Sequence, residues 1–347
     1  MPVHPFHPPR GRIETIVIES AALDCNLLGD PTERRVAVYL PEGYDDSEAD
    51  YPLFVDLAGF LGSGLKHLGW QLFGDSVPQR LDRLVASGRM GPIVAAFPDC
   101  FTSLGGNQYI NSIAMGRWED FLLDEMIPRI ESRFRVRRGA AHRAVFGKSS
   151  GGYGAMAQAL GHGDRWAAVA CHSGDVGFDI VYRREFPSVL DELAKHDRDI
   201  PRFLEHLREV EKIRSGELHA LMLLAMAATY DPDPDAPMGI RLPVDLYTGE
   251  LDDERWSRWL AHDPLTRVER AECQESLRSL KGLYLDCGSR DQYFLHYGAR
   301  TLARRLESSG IPHRYEEFDD NHSSVDYRMD RSLPFLYEAV AGAGISP

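Results

Sequence analysis

Gly147, Ser149 and Gly151 stand at the spacing G-x-S-x-G within FGKSSGGYG, residues 146–154. This pattern sets a nucleophilic serine on a sharp turn between a strand and a helix. Such a turn holds its backbone in a disfavoured conformation, and glycine on either side removes the Cβ atoms that would crowd it. Ser150 fails the same test, because the residue two before it is Lys148. The flanks fit the pattern: residues 143–146 (RAVF) read as a short strand and residues 153–160 (YGAMAQAL) as a helix. The competing reading is a glycine turn without chemistry, and the strand and helix on either side of Ser149 weigh against it.

A serine is a poor nucleophile at neutral pH, so it needs a general base, and the base needs an acid to orient it. In strand–turn–helix serine sites the partners follow in the chain order serine, acid, histidine. Residues 281–291 (KGLYLDCGSRD) read as a strand and then a loop that ends in Asp291, the expected acid. Asp286 competes, but it lies within or at the end of that strand. Of the thirteen histidines, only His313 and His322 lie beyond Asp291 and the helix after it, which takes in His296. His313 starts the strand expected at residues 314–318, on the wrong edge; His322 follows that strand in the polar loop Asp319, Asp320, Asn321. His322 is therefore the expected base, against the plainer role of capping the last helix. The developing oxyanion needs donors. The N–H of Ser150 is one, and the loop at residues 58–64 (AGFLGSG), where Gly59 lets the backbone turn inward, offers the N–H of Phe60. A phosphate cradle is excluded there by the missing G-K-[ST] ending, and the G-K-S at residues 147–149 has His142 where a P-loop needs glycine.

These side chains must be carried by a scaffold, and the rest of the chain supplies one. It has 347 residues, 43% hydrophobic and 27% charged, enough to bury a large core. Apolar runs at residues 51–57, 92–97, 143–146 and 166–171 read as parallel strands covered on both faces, with residues 283–286 and 314–318 completing the sheet. Residues 13–18 and 35–40 read as an antiparallel opening pair. Residues 117–133 place Trp118, Phe121, Leu122 and Ile130 at helical spacing, with Pro128 tightening the last turn. A final helix is expected at residues 333–340. Residues 176–273 break the alternation. They hold an amphipathic helix at residues 203–213, a helix at 217–230 that is apolar on most faces, and Trp256 and Trp259 on another helical stretch. The expected organisation is an α/β-hydrolase core of residues 1–175 and 274–347 with residues 176–273 inserted as a helical cap, a side-packed extension being the alternative.

A net charge of -14 and a sequence pI near 5.4 argue against a nucleic-acid or anionic-membrane surface. The N-terminal stretch lacks the apolar core of a secretory signal, and no apolar run is long enough to span a membrane, so a cytoplasmic protein is expected. The five scattered cysteines, Cys25, Cys100, Cys171, Cys273 and Cys287, read as reduced thiols. No metal-ligand spacing is present, and neither a metal nor a cofactor is expected.

Several blocks in order carry a family resemblance: LAGF at residues 57–60, FPDC at 97–100, GRWEDFLLDEMIPRIESRF at 116–134, FGKSSGGYGA at 146–155, CGSRD at 287–291, and the pair Asn321, His322. The chain resembles the putative-esterase family of α/β-hydrolases, which includes esterase D (S-formylglutathione hydrolase), enterochelin esterases, feruloyl esterases and mycolyltransferases. The resemblance spans most of residues 35–340 outside the insertion, and it implies serine, acid and histidine at Ser149, Asp291 and His322. Two departures stand out: Lys148 replaces a position that is often histidine in the family, and the insertion is longer than in compact members. Substrate therefore does not carry over.

The resulting expectation is a serine carboxylesterase acting on a small-molecule ester or thioester through an acyl-enzyme. An acyltransferase sharing the first half-reaction and a noncatalytic hydrolase-fold binder are the rivals, and a homo-oligomer is left open. Asn107, Gln108, Tyr109 and Asn111 are candidates for the pocket lining, in competition with a loop-building role. Ser173, Gly174 and Asp175 are candidates for a wall near the serine. Trp256 and Trp259 are candidates for a roof over an acyl or aromatic group, with packing inside the insertion as the alternative.

Overall fold

The computed structural model describes residues 4–341. Eight strands form one sheet: β1 (Arg12–Glu19), β2 (Glu33–Leu40), β3 (Leu53–Leu57), β4 (Val94–Pro98), β7 (Arg143–Lys148), β8 (Ala168–His172), β9 (Gly282–Gly288) and β10 (Arg314–Phe318). A short ribbon of β5 (Asn111–Ser112) and β6 (Gly116–Arg117) stands apart from it. The sheet order is β1-β2-β4-β3-β7-β8-β9-β10. β1 pairs antiparallel with β2, and β2 antiparallel with β4, while every pair from β4 to β10 is parallel. The opening pair and the parallel core match the strands expected from the apolar runs, to within about two residues at most ends.

Both faces of the inner strands β3, β4, β7, β8 and β9 are covered, which is why these are mostly apolar, whereas the edge strand β10 (RYEEF) is polar and partly exposed. One face packs against the helices Ser150–Gly161 and Leu295–Ser308, and its core cluster runs on through the segment from Trp118 to Arg133 into the helices between β8 and β9. The other face, with Phe54, Ala95, Phe146, Ala170 and Tyr284, meets the helices Val77–Ala86 and Met329–Ala341. Helix Val77–Ala86 starts on a capping box in which Ser76 and Gln79 satisfy each other's backbone N–H.

The helix expected at residues 117–133 is present but not uniform. An α-turn at Trp118–Asp120 gives way to a π-helical stretch, Phe121–Met126, and then to Ile127–Arg133. Pro128 supplies the reason: its ring would clash with the carbonyl four residues back. The wider turn removes the clash, and the N–H of Ile127 bonds Leu122 O, five residues back.

Between β8 and β9 the chain runs through a set of helices. The longest, Ser215–Tyr230, is buried along most of its length from Ala220 onward, as its all-round apolar composition requires. The amphipathic helix spans Ile200–Glu209, shorter than expected, and Val210 is already extended. Helix Ala271–Ser279 packs against Ser150–Gly161, so the expected boundary at residue 273 falls inside that helix. Among the described residues, no helix is long and apolar enough to cross a membrane. Cys25 is exposed, and the other four cysteines are buried and unpaired.

Candidate active site

Ser149 sits at the junction of β7 and the helix Ser150–Gly161, with φ 59° and ψ -125°. A non-glycine residue at this positive φ is strained, and strain of this kind gathers at functional sites. The neighbours explain how it is tolerated. A Cβ on Gly151 would lie 1.8 Å from Leu57 O, and one on Gly147 would lie 2.4 Å from the Gly151 backbone, so no other residue fits either position. The turn is pinned to the next strand by a bond from Ser149 N–H to His172 O, 2.9 Å.

His322 lies in the loop after β10, and its Nδ1 is 2.8 Å from Asp291 Oδ2. Asp291 follows β9 in a turn in which its N–H bonds Gly288 O, and its Oδ1 accepts the N–H of Tyr293 at 2.9 Å. It is 2% exposed, so little competes with the imidazole for its charge. The Tyr293 ring, nearly perpendicular to the imidazole at 5.0 Å between centroids, and a bond from His322 N–H to Gln292 Oε1 complete the holding of the imidazole. Asp286, the competing acid, faces the other way. It alternates with Cys287 along β9 and lies on the Tyr284 side, bonded to His172 Nδ1 at 2.7 Å and Arg328 Nε at 2.9 Å.

Ser149, Ser150, Gly59, Phe60 and His322 all line one cavity of about 490 Å³. Gly59 makes the close approach possible: a Cβ there would meet Lys148 O at 3.2 Å and Ser149 Cβ at 3.4 Å. Among the described residues, neither the N–H of Phe60 nor that of Ser150 bonds a protein acceptor, which leaves both available.

The loop candidates divide. Tyr109 and Asn107 do not reach the cavity: Tyr109 is buried beneath the Phe60 loop with its hydroxyl bonded to Ala58 O at 2.5 Å, and Asn107 bonds Cys100 O and the N–H of Tyr109. Asn111 is exposed and caps the segment at Trp118, accepting the N–H groups of Glu119 and Asp120. All three shape the backbone, a role that loop asparagines share with their binding role in sequence. Gln108 is buried and ties Ser150 Oγ to Asp175. Asp175 does line the cavity, where burial pushes its carboxyl above the usual carboxylate range against the bonds from Tyr182 and Gln108.

Trp256 and Trp259 are not a roof. Both are buried inside the insertion, where Trp259 packs on Tyr182, Phe186 and Tyr230, and Trp256 bonds Asp179 through Nε1. Their spacing reported a buried helix face but not what covers it. The insertion contributes other residues to the cavity: Val181, Tyr182 and Glu185 from its start, and Leu218, His219 and Met222 from the helix Ser215–Tyr230. His67 also lines it and was not singled out in sequence. The one signal in the long helix was a histidine in an otherwise apolar run. Met222→Ala is accordingly expected to shift the ratio of kcat/KM between a bulky and an acetyl ester by roughly 10-fold. Trp259→Ala should leave that ratio in place while costing about 3–5 kcal/mol of stability. Paired kinetics and urea unfolding check both; a ratio moved by Trp259 and not by Met222 would reverse the assignment.

Among the described residues, no group of three or more His, Cys, Asp or Glu side chains is placed to hold a metal.

A mostly parallel sheet with a strained serine at the end of a central strand, lining one cavity with a histidine held by a carboxylate, defines an α/β-hydrolase of the serine type. The chain matches the family described as putative esterase over residues 30–330 and belongs to it. It is 30% identical over 165 residues to an esterase of Mycobacterium tuberculosis (strain ATCC 25618 / H37Rv); the match covers 45% of this chain and 31% of that protein, so the chain spans under a third of that relative. Among solved structures it is similar to a ferulic acid esterase, with TM-score 0.61 and 20% identity over 95% of this chain and 99% of that one. It is also similar to an S-formylglutathione hydrolase from Agrobacterium tumefaciens, with TM-score 0.57 and 16% identity over 96% and 97%. The fluorophosphonate-binding serine hydrolase F of Staphylococcus aureus gives TM-score 0.58 and 14% identity over 96% and 100%.

Proposed function

We propose that the protein is a serine carboxylesterase that works through an acyl-enzyme, with Ser149 as nucleophile, His322 as base and Asp291 as the residue that orients it. The observation that carries the reading is the convergence of a strained serine and a carboxylate-held imidazole on one cavity. His322 Nε2 takes the Ser149 proton as Oγ adds to the ester carbonyl, and Asp291 stabilises the imidazolium through Nδ1–H. The N–H groups of Phe60 and Ser150 receive the charge that develops on the carbonyl oxygen. The imidazolium then protonates the departing alkoxide or thiolate. In the second half the imidazole activates water against the acyl-serine, and the acid product leaves with Ser149 restored. The substrate is a small-molecule ester or thioester; the family match supports ester chemistry, and the cavity size suits a group of modest bulk.

Treatment with a fluorophosphonate, followed by peptide mapping, tests the reading. A single adduct on Ser149 together with loss of nitrophenyl-acetate hydrolysis is expected. An adduct on Ser150, or folded protein that takes up no label, would overturn it.

A further inference from the structure

The cavity is not symmetrical in charge. Three basic side chains line it on the side of the Phe60 loop: Lys66 and His67 from the 3-10 helix Gly64–Leu68, and Lys148, which directly precedes the nucleophile. Val181, Leu218 and Met222 of the insertion supply apolar lining.

His67 is fixed rather than loose. Its Nδ1 lies 2.6 Å from Oδ2 of Asp56, a carboxylate on β3 with no exposed surface. With Nδ1 taken up, Nε2 has no protein partner among the described residues, and the residue faces the cavity. Lys148 Nζ stands 3.6 Å from Asp326 Oδ1. Lys66 is exposed, and its Nζ reaches only the carbonyl of Leu61, at 3.4 Å. The other acids that line the cavity are engaged elsewhere: Glu185 with Arg184 at 2.7 Å, and Asp175 with Gln108 and Tyr182.

On this wall His67 and Lys148 each face one carboxylate and Lys66 faces none, so the Lys66 ammonium is left over as about one positive charge; Asp175, whose partners Gln108 and Tyr182 are neutral, lies outside this group. A charge left over in a partly enclosed site attracts a counter-charge more strongly than on an open surface. One leftover charge suits a monoanion better than a doubly charged phosphate.

We propose that Lys66, His67 and Lys148 form a subsite for a carboxylate carried by the ester substrate, so that the enzyme prefers esters with an anionic group on the acyl or the alcohol side. This rests on the esterase reading above and narrows its substrate class. Lys148 and His67 meet the carboxylate with an ammonium and a ring N–H, charge-assisted bonds stronger than neutral ones. Lys66 adds the unpaired charge at the mouth.

The site carries a pH signature. Burial opposes the charged form of His67, but Asp56 outweighs it and raises the pKa above the ordinary histidine value, with Asp326 adding to this and Lys148 acting against it. The groups facing His67 are Asp56, Asp326, Lys148 and Lys66. A raised pKa means that the His67 contribution is complete at low pH and fades as pH rises through that value. The catalytic machinery is common to the neutral and the anionic esters, so changes in it cancel in their ratio.

The experiment measures kcat/KM for two matched pairs: mono-4-nitrophenyl glutarate against 4-nitrophenyl valerate, with the charge on the acyl side, and 4-acetoxybenzoate against 4-methylphenyl acetate, with the charge on the alcohol side. In one pair the anionic member should be favoured. Lys66→Glu should lower that anionic-to-neutral ratio by roughly 10-fold or more, Lys66→Arg should restore it, and His67→Gln should lower it and flatten its fall with rising pH. The inference is overturned if neutral esters are turned over while both ratios stay unmoved by Lys66→Glu and His67→Gln. If no ester is turned over and Ser149 takes no fluorophosphonate label, the esterase reading falls and this inference falls with it.

Discussion

Ser149→Ala and His322→Ala should each lower kcat for a short nitrophenyl ester by up to roughly a million-fold, and the double variant should be little worse than either alone. The two residues act as one unit: without the imidazole the hydroxyl keeps its proton, and without the hydroxyl the imidazole has nothing to activate. Asp291→Asn should cost less, roughly 10,000-fold, because the ring loses its held tautomer while nucleophile, base and oxyanion donors stay in place. Ser150→Ala separates the neighbouring serine from the reaction. Its hydroxyl accepts a bond from Gln108 inside the wall, so its loss should be felt in stability rather than in turnover. Stopped-flow and steady-state kinetics on folded variants check the series. A Ser149→Ala protein that keeps turnover, or a Ser150→Ala protein that loses it, would remove Ser149 as nucleophile.

The second large effect is expected at Asp286, and on a different quantity. This carboxylate accepts bonds from His172, from Arg328 and from the hydroxyl of Tyr284 at 3.2 Å, all nearly sealed from water. His172 is anchored in turn by Ser332 at 2.8 Å, and Arg328 also reaches Glu316. Asp286→Ala leaves a buried guanidinium short of its counter-charge and should cost about 3–5 kcal/mol. Burial works against the Asp286 charge, but His172 and Arg328 outweigh it and hold the carboxyl below its ordinary value. A depressed carboxyl pKa contributes stability that is present above the unfolded value near 3.8 and is lost as pH falls through the folded one. Urea unfolding at neutral and acid pH should therefore show the Asp286→Ala deficit shrinking at the acid end. If the variant unfolds like the parent yet loses turnover by orders of magnitude, Asp286 and Asp291 have each other's roles.

The contrast between these two acids shows what a sequence can carry. Asp291 and Asp286 are five residues apart, and only the strand end separates them: β9 runs on to Gly288, so Asp286 points to a sheet face and Asp291 emerges in the loop. A run of apolar residues marks such a strand well, and the inner strands of the large sheet were legible for that reason, while the short β5–β6 ribbon was not. The strained turn at Ser149 was legible too, because its glycines answer to backbone crowding that Gly147 and Gly151 alone can meet. What escaped depends on contacts between distant segments. Trp256 and Trp259 announce a buried face but not their neighbours, and those turn out to be Phe186, Tyr182 and Tyr230 rather than a ligand space. Tyr109 and Asn107 look like pocket residues in one dimension and are struts in three. His67 joins the cavity because Asp56 holds it across eleven positions of chain, a pairing that no local pattern encodes. The π-turn before Pro128 was half visible: the proline announced a disturbance but not its widening direction.

The long crossover between β8 and β9, residues 173–281, has a bearing on how the chain reaches its native state. Closing it instead of a crossover of about thirty residues adds only about 1 kcal/mol of chain entropy, since that cost grows with the logarithm of length. Its kinetic weight is greater, because pairing of strands far apart in sequence is slow. The elbow at Ser149 belongs to the strands before this crossover, whereas Asp291 and His322 arrive only with β9 and β10. A chain caught before that last closure would carry the proposed nucleophile with no proposed base beside it. Hydrolytic competence would then arise in the final folding step, and partly folded chains would be chemically silent toward the esters around them.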